Sequence, residues 1–252
     1  MIIAQISDTH ITLDAPDADH RIRDFEAVIA DINALDPAPD IIIHSGDIVH
    51  NGLREEYSKA LEILSKAHAP VYGMVGNKDD RAMMRSVFSN ADYITTNSDF
   101  IEYVIDDFPI KLIILDTKHA NNNLGDFCSV RMRNLGDMIN TEATKPIAVF
   151  THHPPCEVTV GPHPMHFESM QTMNNLRQVL KDCGRVIGVF CGHVHRATVG
   201  YIEDIPVTVM SAVATPLRRD DYPNHMKNCP IYNIHRLDGS GDLITEKRVV
   251  SV

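Results

Sequence analysis

The sequence has no excess of positive charge. It contains 23 lysine and arginine residues against 34 aspartate and glutamate residues, a formal net charge of −11, and its basic residues form no continuous stripe along the chain. A protein that follows the backbone of a nucleic acid needs clustered positive side chains to neutralise the phosphates. We therefore expect no nucleic acid polymer among the partners of this chain.

Paired cysteines, a leader segment and long apolar runs are also missing. The five cysteines are odd in number and scattered, and none stands in a C-x-x-C motif, which favours a reducing compartment over a disulfide framework. The chain opens into the apolar segment 1–6 without a basic stretch, and no apolar run reaches the length that spans a bilayer. These features predict a cytoplasmic protein with no membrane partner.

Length and composition favour one large domain. The chain has 252 residues, of which 44% are apolar, and it contains no linker rich in glycine, serine or proline and no internal repeat. A chain of this size can bury a sizeable core as one unit. We expect residues 1–252 to form a single α/β domain.

The sequence does contain a series of short apolar runs, each followed at once by polar residues. Helical patterns at about residues 19–35 and 55–67 alternate with the first of these runs, which is typical of an α/β sheet. In such sheets ligands bind at the carboxyl ends of the strands. Five predicted strands end in polar residues: Ile2–Ile6, Ile41–Ile43, Val71–Val75, Ile147–Phe150 and Val186–Phe190.

The polar residues at these strand ends are of the kind that bind metals. His193 and His195 have i, i+2 spacing, which directs two side chains of an extended backbone to the same side. Oxygen and nitrogen ligands without thiolate suit iron, manganese, zinc or cobalt. The candidate ligands are Asp8, His10, Asp47, Asn77, His152, His193 and His195.

The spacing of His193 and His195 lets both imidazoles reach one metal, or one each of two neighbouring metals. An aspartate could bridge them with one oxygen on each metal, and a metal-bound hydroxide would be the nucleophile, since each cation lowers the pKa of bound water. Phosphoryl oxygens would fill the open positions. His153, which follows His152, could contact the phosphate or hold a ligand from behind.

In their order these residues resemble the motifs of a known family. The segments are Asp8-Thr9-His10, Gly46-Asp47, Gly76-Asn77-Lys78-Asp79, His152-His153-Pro154-Pro155 and Gly192-His193-Val194-His195. Together they are similar to the calcineurin-like metallophosphoesterases, and most similar to the branch of class III cyclic-nucleotide phosphodiesterases and glycerophosphodiesterases. The resemblance implies a four-layer αββα sandwich, in which two mixed β-sheets pack together with helices outside.

The resemblance also divides the ligands between two metals. The first metal would be held by Asp8, His10, Asp47 and His195, and the second by the bridging Asp47 with Asn77, His152 and His193. The family has a histidine after its Gly-Asn pair, which contacts the substrate phosphate and assists the leaving group, and this chain has Lys78 there. We expect Lys78 to stabilise the phosphate electrostatically; the alternative is a lysine that is exposed or paired with Asp80.

The predicted activity is hydrolysis of small phosphodiesters, either 3′,5′- or 2′,3′-cyclic nucleotides or glycerophosphodiesters. A phosphomonoesterase or nucleotide pyrophosphatase of the same fold is the alternative within enzymes. A catalytically weakened binding module is a third possibility, which the complete set of seven ligands disfavours. A homo-oligomer, dimer or larger, is expected from the resemblance.

Roles beyond metal binding are predicted for some of these residues and for others outside the motifs, such as Arg218 and His225, for which a solvated surface position is the alternative. The predicted catalytic residues are Asp47, Lys78 and His153. The predicted substrate contacts are Asn77, Lys78, Arg218 and His225, and the segments 121–125 and Val158–Phe167 are expected to form a rim over the metals.

Overall fold

The computed structural model describes residues 1–89, 91–94, 98–141, 144–159, 166–219 and 221–251. The strands in these ranges are β1 (Ile2–Ile6), β2 (Ile41–His44), β3 (Val71–Gly73), β4 (Tyr103–Ile105), β5 (Lys111–Leu115), β6 (Ile147–Thr151), β7 (Val186–Cys191), β8 (Thr198–Ile202), β9 (Ile205–Val209), β10 (Ile231–Leu237) and β11 (Leu243–Val249). The helices are α1 (Ala18–Asn33), α2 (Arg54–Leu64), α3 (Arg81–Val87), α4 (Ser129–Asn140) and α5 (Met170–Cys183). Two 3-10 turns, Thr215–Leu217 and Asn224–Met226, follow β9.

The strands form two mixed sheets. The first has the order β11-β10-β1-β2-β3 and the second the order β4-β5-β6-β7-β9-β8. Strands β1, β2 and β3 run parallel, as do β5, β6, β7 and β9, whereas β10 pairs antiparallel to β1 and β4 antiparallel to β5. Mixed sheets flanked by helices were predicted from the resemblance, and this fold class is confirmed.

Side-chain alternation along the second sheet creates the layers. In β5, Leu112 and Ile114 belong to the apolar core shared with the first sheet, whereas Ile113 and Leu115 belong to a second core. Successive residues of a strand point to opposite faces, so both faces of β5 are covered. The second core includes Leu135 of α4 and Leu176 of α5, which places these helices on the outer face of the second sheet.

Two strands are shorter than predicted, and each has a local reason. β3 ends at Gly73 rather than Val75, because the chain leaves the sheet after Gly73 and turns with Gly76 and Asn77 towards the end of β2. The segment 100–105 predicts a strand that starts at Phe100, but β4 begins at Tyr103. The Phe100 ring instead lies between two guanidinium groups, 5.5 Å from that of Arg81 and 4.5 Å from that of Arg131.

The parallel strands bring the predicted polar residues to one edge of the molecule. The carboxyl ends of β1, β2 and β3 lie side by side in the first sheet, and those of β6 and β7 lie side by side in the second. The two edges meet where the backbone N–H of His193, after β7, donates to Asp8 Oδ2, after β1, at 3.0 Å. In the described part of the chain, none of the helices combines the length and the apolar character needed to cross a bilayer.

Candidate metal centre

The residues at the strand ends have an unusual backbone. Six described non-glycine residues have positive φ, and five of them are Asp8 (54°), His10 (44°), Asp47 (51°), His193 (69°) and His195 (58°). Each such residue costs on the order of 1 kcal/mol or more, and backbone strain of this kind collects at functional sites. Five predicted metal ligands therefore share a conformation that folding alone would not favour.

Four side chains converge into a first cluster. Asp8 Oδ1 lies 3.2 Å from His195 Nε2 and 3.8 Å from His10 Nε2. The two imidazole nitrogens are 3.0 Å apart, and Asp47 Oδ2 lies 3.4 Å from His10 Nε2. All four potential ligand atoms lie within 4.8 Å of one another.

A second cluster lies beside the first and shares Asp47 with it. Asn77 Oδ1 lies 2.8 Å from His193 Nδ1 and 3.2 Å from His152 Nε2. His152 Nε2 is also 3.5 Å from Asp47 Oδ2, the same oxygen that faces His10. The expectation of one Asp47 oxygen per metal thus differs from the geometry, because Asp47 Oδ1 accepts the backbone N–H of Lys78 at 2.7 Å.

The outer ring nitrogens of His195 and His152 have hydrogen-bond partners, and this shows which ring nitrogens remain available to bind a metal. His195 Nδ1 donates to the carbonyl of Leu217 at 2.9 Å, and His152 Nδ1 donates to the carbonyl of Ser45 at 2.8 Å. A carbonyl only accepts, so these nitrogens carry the proton and the inward Nε2 of each neutral ring offers a lone pair. Lone pairs facing carboxylate and amide oxygens repel one another unless protons or metal cations lie among them. The donor set therefore fits two metal ions.

The close approach of carboxylates and imidazoles also shifts the pKa values of the ligand side chains. Burial alone would raise the pKa of Asp8, but the neighbouring imidazoles of His195 and His10 hold that pKa well below its usual value. Burial alone would lower the pKa of His152, but the adjacent carboxylate of Asp47 raises it to about 9. At Asp8 and His152 the attraction between opposite charges thus overcomes the cost of desolvation, whereas at His193 burial prevails and keeps the pKa well below its usual value.

Two glycines allow the loops to approach this closely. A Cβ atom on Gly76 would lie 2.2 Å from Asp47 Oδ1, and a Cβ on Gly192 would lie 2.0 Å from Ser7 Oγ and 2.5 Å from Asp8 Oδ2. All three distances are shorter than any tolerable contact, so a larger residue at either position would displace a carboxylate.

A ring nitrogen of His153 lies within 4.8 Å of those of His152 and His193, so these three side chains could also hold a metal, but both nitrogens of His153 have other partners. Its Nε2 donates to the carbonyl of Asn123 at 3.3 Å, and its Nδ1 lies 2.9 Å from the Thr117 hydroxyl, which can donate to it. Burial, and then the charge of His152, keep its pKa well below the usual value. A neutral ring with both nitrogens bonded is suited to supporting the His193 ring, whose centre is 4.4 Å away.

Asp79 and Asp80, the two aspartates that follow Lys78, accept hydrogen bonds from backbone N–H groups. The Asp79 carboxylate accepts backbone N–H groups of Ile48 at 3.2 Å and Gly76 at 2.7 Å, and thereby ties the loop after β2 to the loop after β3. Asp80 accepts the N–H of Met83 at 2.8 Å and caps α3. The alternative in which Lys78 pairs with Asp80 is therefore not the arrangement seen.

Several residues around the clusters were not found by sequence reasoning. Lys118 Nζ donates to the carbonyl of Asn77 at 2.7 Å, and Asn123 Oδ1 accepts from Asn77 Nδ2 at 3.4 Å. Lys118 follows β5, so the rule that polar residues after strands form the site could have identified it. Asn123 lies in the segment 121–125, which the sequence analysis expected to be part of the rim.

The other predicted substrate contacts have a mixed outcome. The Arg218 guanidinium donates to the carbonyls of Met226 and Lys227 and lies 4.9 Å from the centre of the Tyr222 ring, which ties it to its own loop. His225 is exposed on a 3-10 turn. Most of the segment Val158–Phe167 falls at 160–165, outside the described residues. Its last part, His166, packs edge-on against His193 with 5.1 Å between the ring centres.

Comparison with known proteins adds a family and relatives. The sequence profile of the family described as calcineurin-like phosphoesterase matches residues 1–197. A protein of Arcobacter nitrofigilis named probable glycerophosphodiester phosphodiesterase GpdQ is 31% identical over 243 residues, which cover 93% of this chain and 88% of that protein. The 3′,5′-cyclic adenosine monophosphate phosphodiesterase CpdA of Escherichia coli K12 is 22% identical over 253 residues, which cover 97% of this chain and 88% of that protein.

Solved structures show the same fold at low sequence identity. A dimetal phosphatase from Danio rerio superposes with a TM-score of 0.77 at 12% identity, over 100% of this chain and 98% of that one. This likeness supports the two-sheet architecture independently of the motifs.

Proposed function

The chain belongs to the calcineurin-like phosphoesterase family, a family of hydrolases, and we propose that within it the chain is a binuclear-metal phosphodiesterase acting on small diesters. The observation that carries the proposal is the position of Asp47 Oδ2. This single oxygen lies 3.4 Å from His10 Nε2 in the first cluster and 3.5 Å from His152 Nε2 in the second. A carboxylate shared in this way is what two neighbouring cations require as a bridging anion.

We assign the two clusters as two metal positions. The first would be held by Asp8, His10, Asp47 and His195, and the second by Asp47, Asn77, His152 and His193. The metals would supply Lewis acidity at the phosphoryl oxygens and a water of lowered pKa. Iron, manganese, zinc and cobalt all suit this set of ligands.

The chain's own residues orient these groups and provide fixed charge. The Lys78 N–H and the His193 N–H hold the outer oxygens of Asp47 and Asp8, at 2.7 and 3.0 Å, so the other oxygen of each carboxylate faces inward. The Lys78 ammonium would contact a non-bridging phosphate oxygen. Lys118 adds a second positive charge beside Asn77. His153 would support His193 rather than transfer a proton.

Small diesters are favoured as substrates over polymers. The relatives are named glycerophosphodiester and cyclic nucleotide phosphodiesterases, and the net charge of −11 opposes binding of a long polyanion. The candidates are 3′,5′- and 2′,3′-cyclic nucleotides and glycerophosphodiesters. A phosphomonoesterase or nucleotide pyrophosphatase is the second candidate, because the same pair of metals would serve either reaction.

The proposal extends to the number of domains, the cellular location and the oligomeric state. We propose that residues 1–252 act as one catalytic domain, because Asp8, His10 and Asp47 come from the first sheet while His152 and His193 come from the second. Neither sheet alone holds a complete cluster. A cytoplasmic homo-oligomer remains the prediction from the sequence.

A reconstitution experiment tests this function. Protein freed of metal and reconstituted with excess manganese should approach two equivalents per chain and should hydrolyse bis-nitrophenyl phosphate faster than mono-nitrophenyl phosphate. Comparing 3′,5′-cyclic, 2′,3′-cyclic and glycerol diesters would then identify the substrate class. A faster rate on the monoester would favour the second candidate. A stoichiometry that never exceeds one equivalent would contradict the binuclear centre, and cleavage of DNA faster than of cyclic nucleotides would contradict the preference for small substrates.

A further inference from the structure

His50 lies directly behind His10, on the side away from the first cluster. Its Nδ1 is 3.4 Å from His10 Nδ1, and the two rings meet edge to face with 5.5 Å between their centres. Asp8, Asp47 and His195 all face the opposite nitrogen, His10 Nε2. The two nitrogens of His10 therefore have separate partners, one set inside the cluster and one outside it.

The proton positions on this pair follow from the geometry. A histidine that binds a metal through Nε2 carries its proton on Nδ1. His10 Nδ1–H then points at His50 Nδ1, which can accept it only if the His50 proton is on Nε2. His50 is half-buried, so its Nε2–H can reach water. A neutral His50 thus presents one acceptor to His10 and one donor to solvent.

The backbone around His50 is rigid. The His50 N–H donates to the carbonyl of Ile11 at 2.9 Å, and the N–H of Val49 donates to the buried Asp79 carboxylate at 3.2 Å. The Asn51 N–H and side chain both donate to Glu56, at 2.9 and 2.7 Å. His50 is held between these anchors, so its ring has little freedom to leave His10.

The other imidazoles with an assigned outer partner use the main chain instead. His152 and His195 each donate to a carbonyl, of Ser45 and Leu217. Such a carbonyl is present whatever the side chain of its residue, so substitution leaves the bond in place. The outer partner of His10 is a side chain, and its loss would leave His10 without that acceptor.

We propose that His50 is a positioning residue for the first metal, which fixes the tautomer and orientation of His10 by accepting its Nδ1–H. This inference rests on the proposed binuclear centre. The outer partner of a metal-binding histidine sets its basicity and its angle, and loss of such a partner typically weakens metal binding by about 10- to 100-fold. The first metal should lose this affinity, whereas the second, which does not use His10, should not.

Two substitutions of His50 test the effect of its hydrogen-bond acceptor separately from the effect of its ring. His50→Phe keeps a ring of similar size but removes the acceptor. His50→Asn loses the ring but keeps an oxygen close to the position of Nδ1. Titration of metal-free protein with Co²⁺, followed by calorimetry and by the visible absorption of the bound cobalt, reports affinity and ligand geometry without any measurement of turnover.

We expect His50→Phe to weaken the tighter-bound cobalt by about tenfold or more and to shift its absorption bands. His50→Asn should stay within about threefold of the wild-type protein. His68→Phe, at an exposed histidine after α2, is the matched control and should change neither quantity. If His50→Phe lowers the thermal stability, the pair His50→Asn and His50→Ala, both smaller than histidine, decides the question instead.

The outcomes distinguish this inference from the proposed function. Wild-type cobalt affinity and an unchanged spectrum in both His50→Phe and His50→Ala would overturn the role of His50 while leaving the binuclear centre intact. Equal weakening in the Asn and Ala variants would show that the ring, and not the acceptor, is what matters. Wild-type protein that binds less than one equivalent of cobalt would instead contradict the proposed function itself.

Discussion

The two clusters of the candidate centre are built from different kinds of ligand. The first contains the carboxylates of Asp8 and Asp47 with two imidazoles, whereas the second contains the amide of Asn77 with two imidazoles and only shares Asp47. Two anions attract a divalent cation more strongly than one shared anion does. We infer that the first metal binds more tightly and that the second is the more easily exchanged.

The loops and side chains that surround the two clusters also differ. In the first, Asp8 and His10 are nearly inaccessible, at 0% and 2% exposure, and the loops behind them continue the backbone pairing of β1 and β2 through His10 N–H to Asp47 O at 3.0 Å. In the second, Asn77 reaches the edge of the site and contacts Asn123 of the rim. Exposure alone does not separate the clusters, because the His195 side chain of the first is 12% exposed and Asn77 of the second is 8% exposed.

The largest expected effect comes from removing the carboxylate of Asp47, which the two clusters share. Asp47→Asn keeps the shape but loses the charge at both positions, so bound manganese should fall from about two equivalents to below one. Hydrolysis of bis-nitrophenyl phosphate should fall on the order of a thousandfold. The control is Asp80→Asn, since Asp80 only caps α3. Two retained equivalents in Asp47→Asn would mean that the clusters do not depend on a common bridge.

Removing one ligand from each cluster in turn tests whether the two clusters bind their metals independently. His152→Ala should lose mainly the second equivalent and keep about one, while His195→Ala should weaken the first. Activity should fall on the order of a hundredfold in either variant. Metal analysis at several manganese concentrations gives the two affinities. Loss of both metals in His152→Ala would show that the centre binds its ions as a single unit.

The sequence was sufficient to predict which residues form the clusters, although one of the reasons was wrong. The spacing of His193 and His195 was interpreted as that of an extended strand, but both have left-handed backbone, with φ of 69° and 58°. As a result they enter different clusters, His193 beside Asn77 and His195 beside Asp8. Spacing left open whether one metal or two would be served, and only the backbone geometry separates these alternatives.

Residues that support the clusters could not be predicted in this way. Asp24 of α1 accepts from Thr215, which is 191 positions later in the chain, and no local pattern connects the two. His50 is a polar residue in a loop, where solvent-exposed side chains are the rule. Contacts of this kind depend on how the two sheets pack, which periodicity and spacing do not describe.

Lys78 should matter for the reaction rather than for either metal. Its backbone N–H holds Asp47, and a side-chain substitution leaves that bond intact. Lys78→Ala should therefore keep about two equivalents of manganese while kcat/KM falls on the order of tenfold. Lys78→His should help alkyl esters more than nitrophenyl esters, because imidazolium is the better general acid near neutral pH. Unchanged rates in Lys78→Ala would assign the side chain to solvent.

The smallest expected effect is at Thr215, which supports the first cluster from a distance. The Thr215 hydroxyl donates to the buried Asp24 carboxylate at 2.6 Å and its N–H donates to the same oxygen at 2.9 Å. These bonds fix the turn Thr215–Leu217 against α1, and the carbonyl of Leu217 accepts from His195 Nδ1. A change at Thr215 should thus reach the metal ligand only through the position of this turn.

Thr215→Val removes the hydroxyl and keeps the shape and the N–H bond. The variant loses the hydroxyl's hydrogen bonds to Asp24 and His20, each on the order of 1 kcal/mol, which should weaken the first metal by about threefold to tenfold and leave the second unchanged. Thr172→Val is the control, because Thr172 bonds with Ser169 at the start of α5 and should affect stability alone. Competition with a graded chelator measures both affinities. An equal loss at both metals would show that the turn supports the centre as a whole, and the difference between the clusters would then lie in their ligands rather than in their surroundings.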